Sequence, residues 1–362
     1  MNAIQAAGLI RYGERRQEWR RGTPECARHE LPRGPGLPDN EGTMNLPTGV
    51  EIERACGIVY EAMPPTAQYC WPLLSERAGC EVWLKHENHT PLGAFKTRSA
   101  LVYFRRLREA GGGERVAVTA TRGNFGQAVA FAARREGMAA VVYVPHGNSE
   151  GKNRAMRGLG ATLVERGEDF EEARQEARRW AEAEGHHYVP SFHEWLVAGT
   201  ATYSWELLRA VEGIDVAYVP IGMGSGIIGM CAARAALGVK TEIVGVVSAH
   251  ARAVAESFAR REVVASPART RLADGMAVPV PDADALEAML REVSRMVTVT
   301  DDEVAGAMRA IFDDTHNIAE GAGAAGVAAI LKEREGLRGK RVAAVVSGGN
   351  VDRGLFAEVM RG

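Results

Sequence analysis

Apolar residues along the chain recur in two periods. Short, nearly continuous apolar runs at 81–84, 116–120, 140–144, 161–164, 188–190, 216–220, 243–248, 297–300 and 342–347 predict strands. Between most of them the spacing is helical. One predicted helix covers 169–183, with Phe170, Ala173, Ala177, Trp180 and Ala181 on a common face. Another opens at Thr300, where Thr300 and Glu303 form a capping-box signature, and continues through Val304, Met308 and Ile311. A helix is also expected from Pro47 through Val50, Ala55, Val59 and Ala62, followed by a loop carrying Pro64, Pro65, Tyr69 and Trp71. Strands this continuously apolar, alternating with helices, imply parallel sheet covered on both faces. They outnumber the strands of one sheet of usual size, so the expected fold class is α/β with two open parallel-sheet domains and a site in the cleft between them. Residues 44–114 with 192–362 form the expected large domain, and 115–191 the small one.

Residues 1–43 show no sustained apolar period and are rich in Arg, Glu, Gly and Pro, which predicts a disordered extension. Met44 opens a segment that reads as an ordinary domain start, so whether 1–43 belong to the natural protein stays open. Glu14, Glu18, Glu25 and Glu30 argue against a basic targeting arm there. The formal net charge is only −2, which gives no reason to expect nucleic acid or an anionic membrane as partner and points to a small ligand. Cys26, Cys56, Cys70, Cys80 and Cys231 are scattered and odd in number, against both a disulfide framework and a thiolate metal site. With no apolar run long enough to span a bilayer, a soluble protein of the reducing cytoplasm is expected.

The chemistry begins at Lys96. The strand-like 81–84 leads through the turn Thr90-Pro91-Leu92-Gly93 to a helix that Lys96 opens and that continues through Ala100, Leu101, Val102 and Phe104. An ammonium at a helix N-terminus opposes the macrodipole, whereas an amine that forms an imine must spend time uncharged. A solvated surface lysine is the alternative on this spacing alone. Three strand-to-helix junctions add weight: Thr121-Arg122-Gly123-Asn124-Phe125-Gly126-Gln127, the segment 222–229 with Gly222, Gly224, Gly226 and Gly229, and Ser347-Gly348-Gly349-Asn350. Each offers backbone N–H groups and a positive helix end beyond a strand, where α/β sheets bind ligands. The second suits a phosphate dianion and lacks the Gly-Lys-Ser/Thr ending of a nucleotide loop. Gly224, Gly226 and Gly229 with Glu242 also match a dinucleotide fingerprint, although its expected place is early in the fold.

Taken with Asn88-His89-Thr90-Pro91, Phe95-Lys96-Thr97-Arg98, the segment 273–278 and Glu320-Gly321-Ala322-Gly323-Ala324-Ala325, these motifs resemble, in the same order, the serine/threonine dehydratase group of fold-type II pyridoxal-phosphate enzymes. The likeness spans about residues 50 to 358 and implies a tryptophan synthase β-like fold. It implies that pyridoxal 5'-phosphate is bound covalently by Lys96, with Phe95 beside it, and that Asn124 contacts the cofactor's phenolic oxygen. Gly222, Gly224, Ser225 and Gly226 would hold the phosphate, and Ser347 would face the ring nitrogen. A hydroxyl there protonates the ring less fully than a carboxylate would, which favours β-elimination over transamination. Thr121, Arg122, Gly123 and Gln127 would receive the substrate. The implied reaction is removal of the β-hydroxyl of threonine, serine or a similar amino acid by Lys96 acting on the Cα proton, with the leaving proton supplied by the cofactor phosphate, to give a 2-oxo acid and ammonia. The alternatives are a dehydratase specialised for 3-hydroxyaspartate or hydroxyectoine-derived substrates, β-replacement on the same scaffold, a non-catalytic cofactor-binding homologue, and a Rossmann-type oxidoreductase.

Departures from the group qualify this reading. The group commonly has Ser-Ser-Gly-Asn where this chain has Thr121-Arg122-Gly123-Asn124; its racemases use the second serine as an acid, so Arg122 counts against racemisation. Arg122 either clamps a second substrate carboxylate or points to solvent. Metal-activated relatives place a glutamate after the strand that here ends in Val247-Ser248, so no divalent metal is expected; His186, His187 and His193 lack ligand spacing and are expected to pack or lie on the surface. A feedback domain is not expected after Asn350, which implies a catabolic role, and a homodimer is the expected assembly.

Overall fold

Alternate residues of each central strand feed opposite hydrophobic layers, and this sorts the chain into two sheets. The computed structural model describes residues 44–112 and 116–362, so the expectation of disorder for 1–43 lies outside the described residues. The strands are β1 (Gln68–Cys70), β2 (Glu81–His86), β3 (Ala117–Ala120), β4 (Ala140–Val144) and β5 (Thr162–Glu165), then β6 (His187–Tyr188), β7 (Val216–Pro220), β8 (Glu242–Ser248), β9 (Arg295–Val299) and β10 (Arg341–Val346). The helices are α1 (Gly49–Tyr60), α2 (Pro72–Ala78), α3 (Lys96–Glu109), α4 (Asn124–Arg135), α5 (Glu150–Gly158), α6 (Phe170–Ala183) and α7 (Glu194–Ala210). They continue with α8 (Ser225–Leu237), α9 (Ala253–Arg260), α10 (Ala283–Glu292), α11 (Asp301–Thr315), α12 (Gly321–Glu333) and α13 (Arg353–Arg361).

The larger sheet runs β1-β2-β10-β7-β8-β9 and the smaller β5-β4-β3-β6. All pairings are parallel except that of β1, an antiparallel edge on β2 that sets Gln68 opposite Lys85 and Cys70 opposite Trp83. The segment around Tyr69 was expected to be a loop. It is a strand because β2 leaves an unpaired edge, and three residues are too few to show a period of two.

In β10, Val342, Ala344 and Val346 join the layer under α11 and α12, while Ala343 and Val345 join the layer under α7 and α8. In the smaller sheet Val118, Ala120, Val141 and Tyr143 meet Ala173, Ala177 and Ala181 of α6, and Ala117, Ala140, Val142 and Val144 face the layer built with α3 and α4. Capping marks the helix starts. Thr48 with Glu51 and Thr300 with Glu303 form complete capping boxes, and Asp169 accepts the Glu172 N–H. Helix α12 rests on the sheet through small residues: a Cβ on Gly326 would stand 3.0 Å from that of Ala344 and 3.1 Å from the Tyr218 carbonyl oxygen.

Helix α3 is fixed by charges rather than by apolar contact alone. Arg98, fully buried, spends all five N–H groups: Nε on Glu87 (2.7 Å), one terminal nitrogen on Glu206 and Thr202 (2.6 and 3.1 Å), the other on Glu206 and Thr66 (2.9 and 3.2 Å). Lys85 Nζ donates to Glu206 (2.6 Å), the Thr66 carbonyl (2.7 Å) and Gln68 (3.0 Å). Two cations face two carboxylates, so the buried cluster is neutral. Burial raises the pKa of Glu206, but Arg98 and Lys85 outweigh it and hold the carboxyl below its ordinary value. Breaking a buried pair by deleting one partner strands the other charge. Glu206→Ala is therefore expected to cost about 3–5 kcal/mol of folding free energy in urea titration, and a loss below about 1 kcal/mol would show the network to be energetically idle.

Candidate active site

The loop before Lys96 is stitched to the loop after β10. Phe95 N–H donates to the Ser347 carbonyl (3.0 Å), Gly349 N–H donates to the Gly93 carbonyl (2.9 Å), and Ala94 and Gly348 form an isolated antiparallel bridge. Thr90 braces the turn from inside, its hydroxyl meeting both the N–H and the carbonyl of Ala94 at 2.9 Å. Lys96, the first residue of α3, is half-buried. Among the described residues its Nζ has no hydrogen-bond or ion-pair partner, and it sits 4.7 Å from the Phe95 ring centre and 5.6 Å from that of Phe125. Burial without a counter-charge lowers its pKa to about 8, which makes the uncharged amine accessible near neutral pH.

Strand β7 delivers the glycine turn. Gly224 adopts φ 101°, a left-handed conformation open to glycine, as the residue preceding α8. Gly222 packs so closely on the Gly275 carbonyl that a Cβ would collide with it. Tyr203 Oη donates to the Gly226 carbonyl (3.1 Å) and Thr200 Oγ1 to that of Ser225 (2.7 Å), anchoring the turn from behind. The first N–H groups of α8 have no partner within the helix, and the helix end is positive.

Opposite this turn stands a polar chain. Asn350 Nδ2 donates to the Leu92 carbonyl (2.8 Å) and to Asn124 Oδ1 (2.9 Å), and Asn124 Nδ2 donates to Glu320 Oε1 (2.7 Å). Glu320 is buried, and among the described residues its Oε2 has no partner. Burial first, and Asp274 second, raise the Glu320 pKa to about 7. Asp274 also pairs with Lys152, whose side chain lies along Gly123, 2.7 Å from where a Cβ there would be. Burial opposes the Lys152 charge, but Asp274 and Glu320 outweigh it and raise its pKa.

One cavity brings these groups together. Phe95, Lys96, Thr121, Arg122, Gly123 and Asn124 line it, and so do Gly222, Gly224, Ser225, Gly226 and Ser347. The loops after β3, β7 and β10 thus meet, one from the smaller sheet and two from the larger. Gln127 is set apart: it is buried on α4 and lines a neighbouring crevice with Gly151 and Asn350. Arg122 is exposed, with no hydrogen bond or ion pair among the described residues. The sequence reading gave no role to Lys152, Asp274 or Glu320. Asp274 and Glu320 stand inside motifs already singled out by their order, whereas nothing local to Lys152 distinguishes it from a surface lysine. The histidines pack against aromatic rings: His187 Nε2 lies 2.8 Å from Tyr103 Oη, His193 caps α7, and His186 lies 4.8 Å from Trp180 between ring centres.

An unpaired amine of lowered pKa, a glycine turn that a Cβ would obstruct, and an orphaned buried carboxyl oxygen fit an aldehyde cofactor carrying a phosphate. The comparisons agree. Residues 61–348 match the family model described as pyridoxal-phosphate dependent enzyme. The chain is 33% identical over 311 residues to L-threonine ammonia-lyase of Thermotoga maritima, covering 86% of this chain and 77% of that protein. It is 33% identical over 275 residues to a catabolic L-threonine dehydratase of Staphylococcus aureus, covering 75% and 79%. The processed form of threonine deaminase isoform 2 from Solanum lycopersicum superposes with a TM-score of 0.80 at 26% identity, over 92% of this chain and 99% of that one. The glycine turn, the amine of Lys96 and the extent of these matches agree: the chain belongs to the pyridoxal-phosphate dependent enzymes.

Proposed function

We propose that the protein is an ammonia-lyase that removes the β-hydroxyl of a small hydroxy amino acid such as threonine or serine, giving a 2-oxo acid and ammonia. The observation that carries this is the meeting of Lys96, the 222–226 turn and Ser347 in one cavity, in a chain similar over most of its length to named threonine ammonia-lyases. Pyridoxal phosphate, bound through Lys96, supplies the electron sink for the pair left when the substrate loses its Cα proton. Lys96 Nζ would take that proton; its lowered pKa keeps enough free base for the task. Backbone N–H groups at Gly224, Ser225 and Gly226 would hold the phosphate, the Ser347 hydroxyl would serve the ring nitrogen, and the second N–H of Asn124 would serve the ring oxygen. Thr121, Arg122 and Gly123 receive the substrate at the positive start of α4, and Phe95 and Phe125 shield the amine from water. In this reading 115–191 acts as a small domain over a large one formed by 44–114 and 192–362. The assembly in this reading is a homodimer, and the scattered cysteines fit a reducing compartment such as the cytoplasm.

A second reading concerns the substrate. Arg122, at the cavity wall and without a partner among the described residues, has its guanidinium available for a second carboxylate, as in 3-hydroxyaspartate.

Three outcomes are expected. Purified protein should be yellow, and borohydride should fix the label to Lys96; Lys96→Ala should lower 2-oxo acid release by about 10³-fold or more, and a colourless protein retaining activity would overturn the assignment. On a panel of L-serine, L-threonine, D-serine and the 3-hydroxyaspartates, Arg122→Ala should lower kcat/KM for a dicarboxylate by about 10–100-fold and spare threonine; an unchanged order of preference removes the clamp. Because β8 ends in Val247 and Ser248, with no carboxylate to hold a hard cation, dialysis against a chelator should leave activity intact. Loss restored by Mg²⁺ would contradict this.

A further inference from the structure

Glu320 is a buried cavity residue that the reaction above does not use. The residue is 5% exposed, it lines the cavity with Lys96, and among the described residues its Oε2 has no partner. Its placement is enforced on every side. Glu320 N–H donates to the Gly348 carbonyl (3.0 Å), and Gly348 lies so close to Oε1 that any Cβ there would collide with it. Oε1 is taken by Asn124 (2.7 Å), whose carbonyl is in turn taken by Asn350 (2.9 Å). An amide has two N–H groups. One is spent on Glu320, its oxygen is spent on Asn350, and so a single N–H remains for a ligand. A buried acid oxygen left without a partner is costly, and natural structures leave few.

We propose that Glu320 is a positioning residue for the cofactor: it orients Asn124 and presents Oε2, as a protonated acid, to the same electron-rich ring oxygen that Asn124 addresses. This rests on the reading of the cavity as a pyridoxal-phosphate site. Hydrogen bonding by the acid needs no proton transfer, so nothing is consumed or released; losing the proton replaces a donor by a negative charge beside the ring. The charged groups around the carboxyl fix the sign of the response. Asp274, on the turn 274–276, opposes ionisation, and Lys152, from α5, favours it. Arg122, Arg271 and Asp352 line the adjoining crevice with Glu320, and Lys96 shares the main cavity.

The test is a pH titration of the visible absorbance of the holoenzyme. First, borohydride labelling of the unmodified protein must place the cofactor on Lys96; label elsewhere or none overturns the cofactor reading and this proposal with it. With that in place, the visible band should shift in one step near neutrality. Glu320→Gln carries an N–H where the protonated acid carries its O–H, so it should lock the band in the low-pH position at full cofactor content. Asp274→Asn should move the step to lower pH and Lys152→Gln to higher pH, each by about one unit. Opposite displacements by these two neighbours would not arise from a merely structural role. A Glu320→Gln holoenzyme that titrates like the unmodified one, or neighbours that leave the step in place, would overturn the proposal.

Discussion

The neutral cluster of Arg98, Lys85, Glu87 and Glu206 is the constraint on which the rest of the structure depends. Arg98 lies two residues beyond Lys96 on the same helix, Lys85 and Glu87 lie at the end of β2, and Glu206 is on α7. A helix, a strand end and a second helix are thus pinned by groups that tolerate little displacement, because a buried charge that loses its partner is expensive. The helix that opens at Lys96 therefore has a fixed first turn. The amine of Lys96, by contrast, has no partner among the described residues. Rigid charge compensation two residues away and an uncompensated amine at the mouth form a division of labour: the scaffold is neutral and locked, and the amine of Lys96 is left free to lose its proton.

Close backbone approach is the second theme. Gly222 against Gly275, Gly323 against Gly348 and Gly348 against Glu320 leave no room for a side chain. These contacts draw the loops after β7 and β10 and the start of α12 inside ordinary side-chain distance. Small residues along 321–330 serve the same end, since α12 carries Glu320 and must lie flat on the larger sheet.

Much of this was legible in the sequence, for identifiable reasons. Runs such as 140–144 and 216–220 coincide with β4 and β7 because strands buried on both faces are apolar throughout. The capping box at Thr300 and Glu303 is a local signal, and the structure forms it as expected. Weaker signals slipped by a residue or two: 161–164 became Thr162–Glu165, and 188–190 became His187–Tyr188, both in strands at the edges of the smaller sheet. The residues that escaped were charged ones. Lys85, Glu87, Arg98 and Glu206 look like surface groups in a linear reading, and only the tertiary fold reveals that they are buried together. Lys152 escaped for the same reason, since its neighbour Asp274 is remote in sequence. Gln127 follows the glycine turn in sequence, and in the structure it lines the adjoining crevice.

The glycine turn at 222–226 has one further consequence. Because a cofactor seated there would be gripped by amide groups that every amino acid possesses, side-chain replacement elsewhere in the cavity can alter which substrate is accepted while leaving the prosthetic group in place. Inheritance of the grip and divergence of the appetite are separable in this architecture.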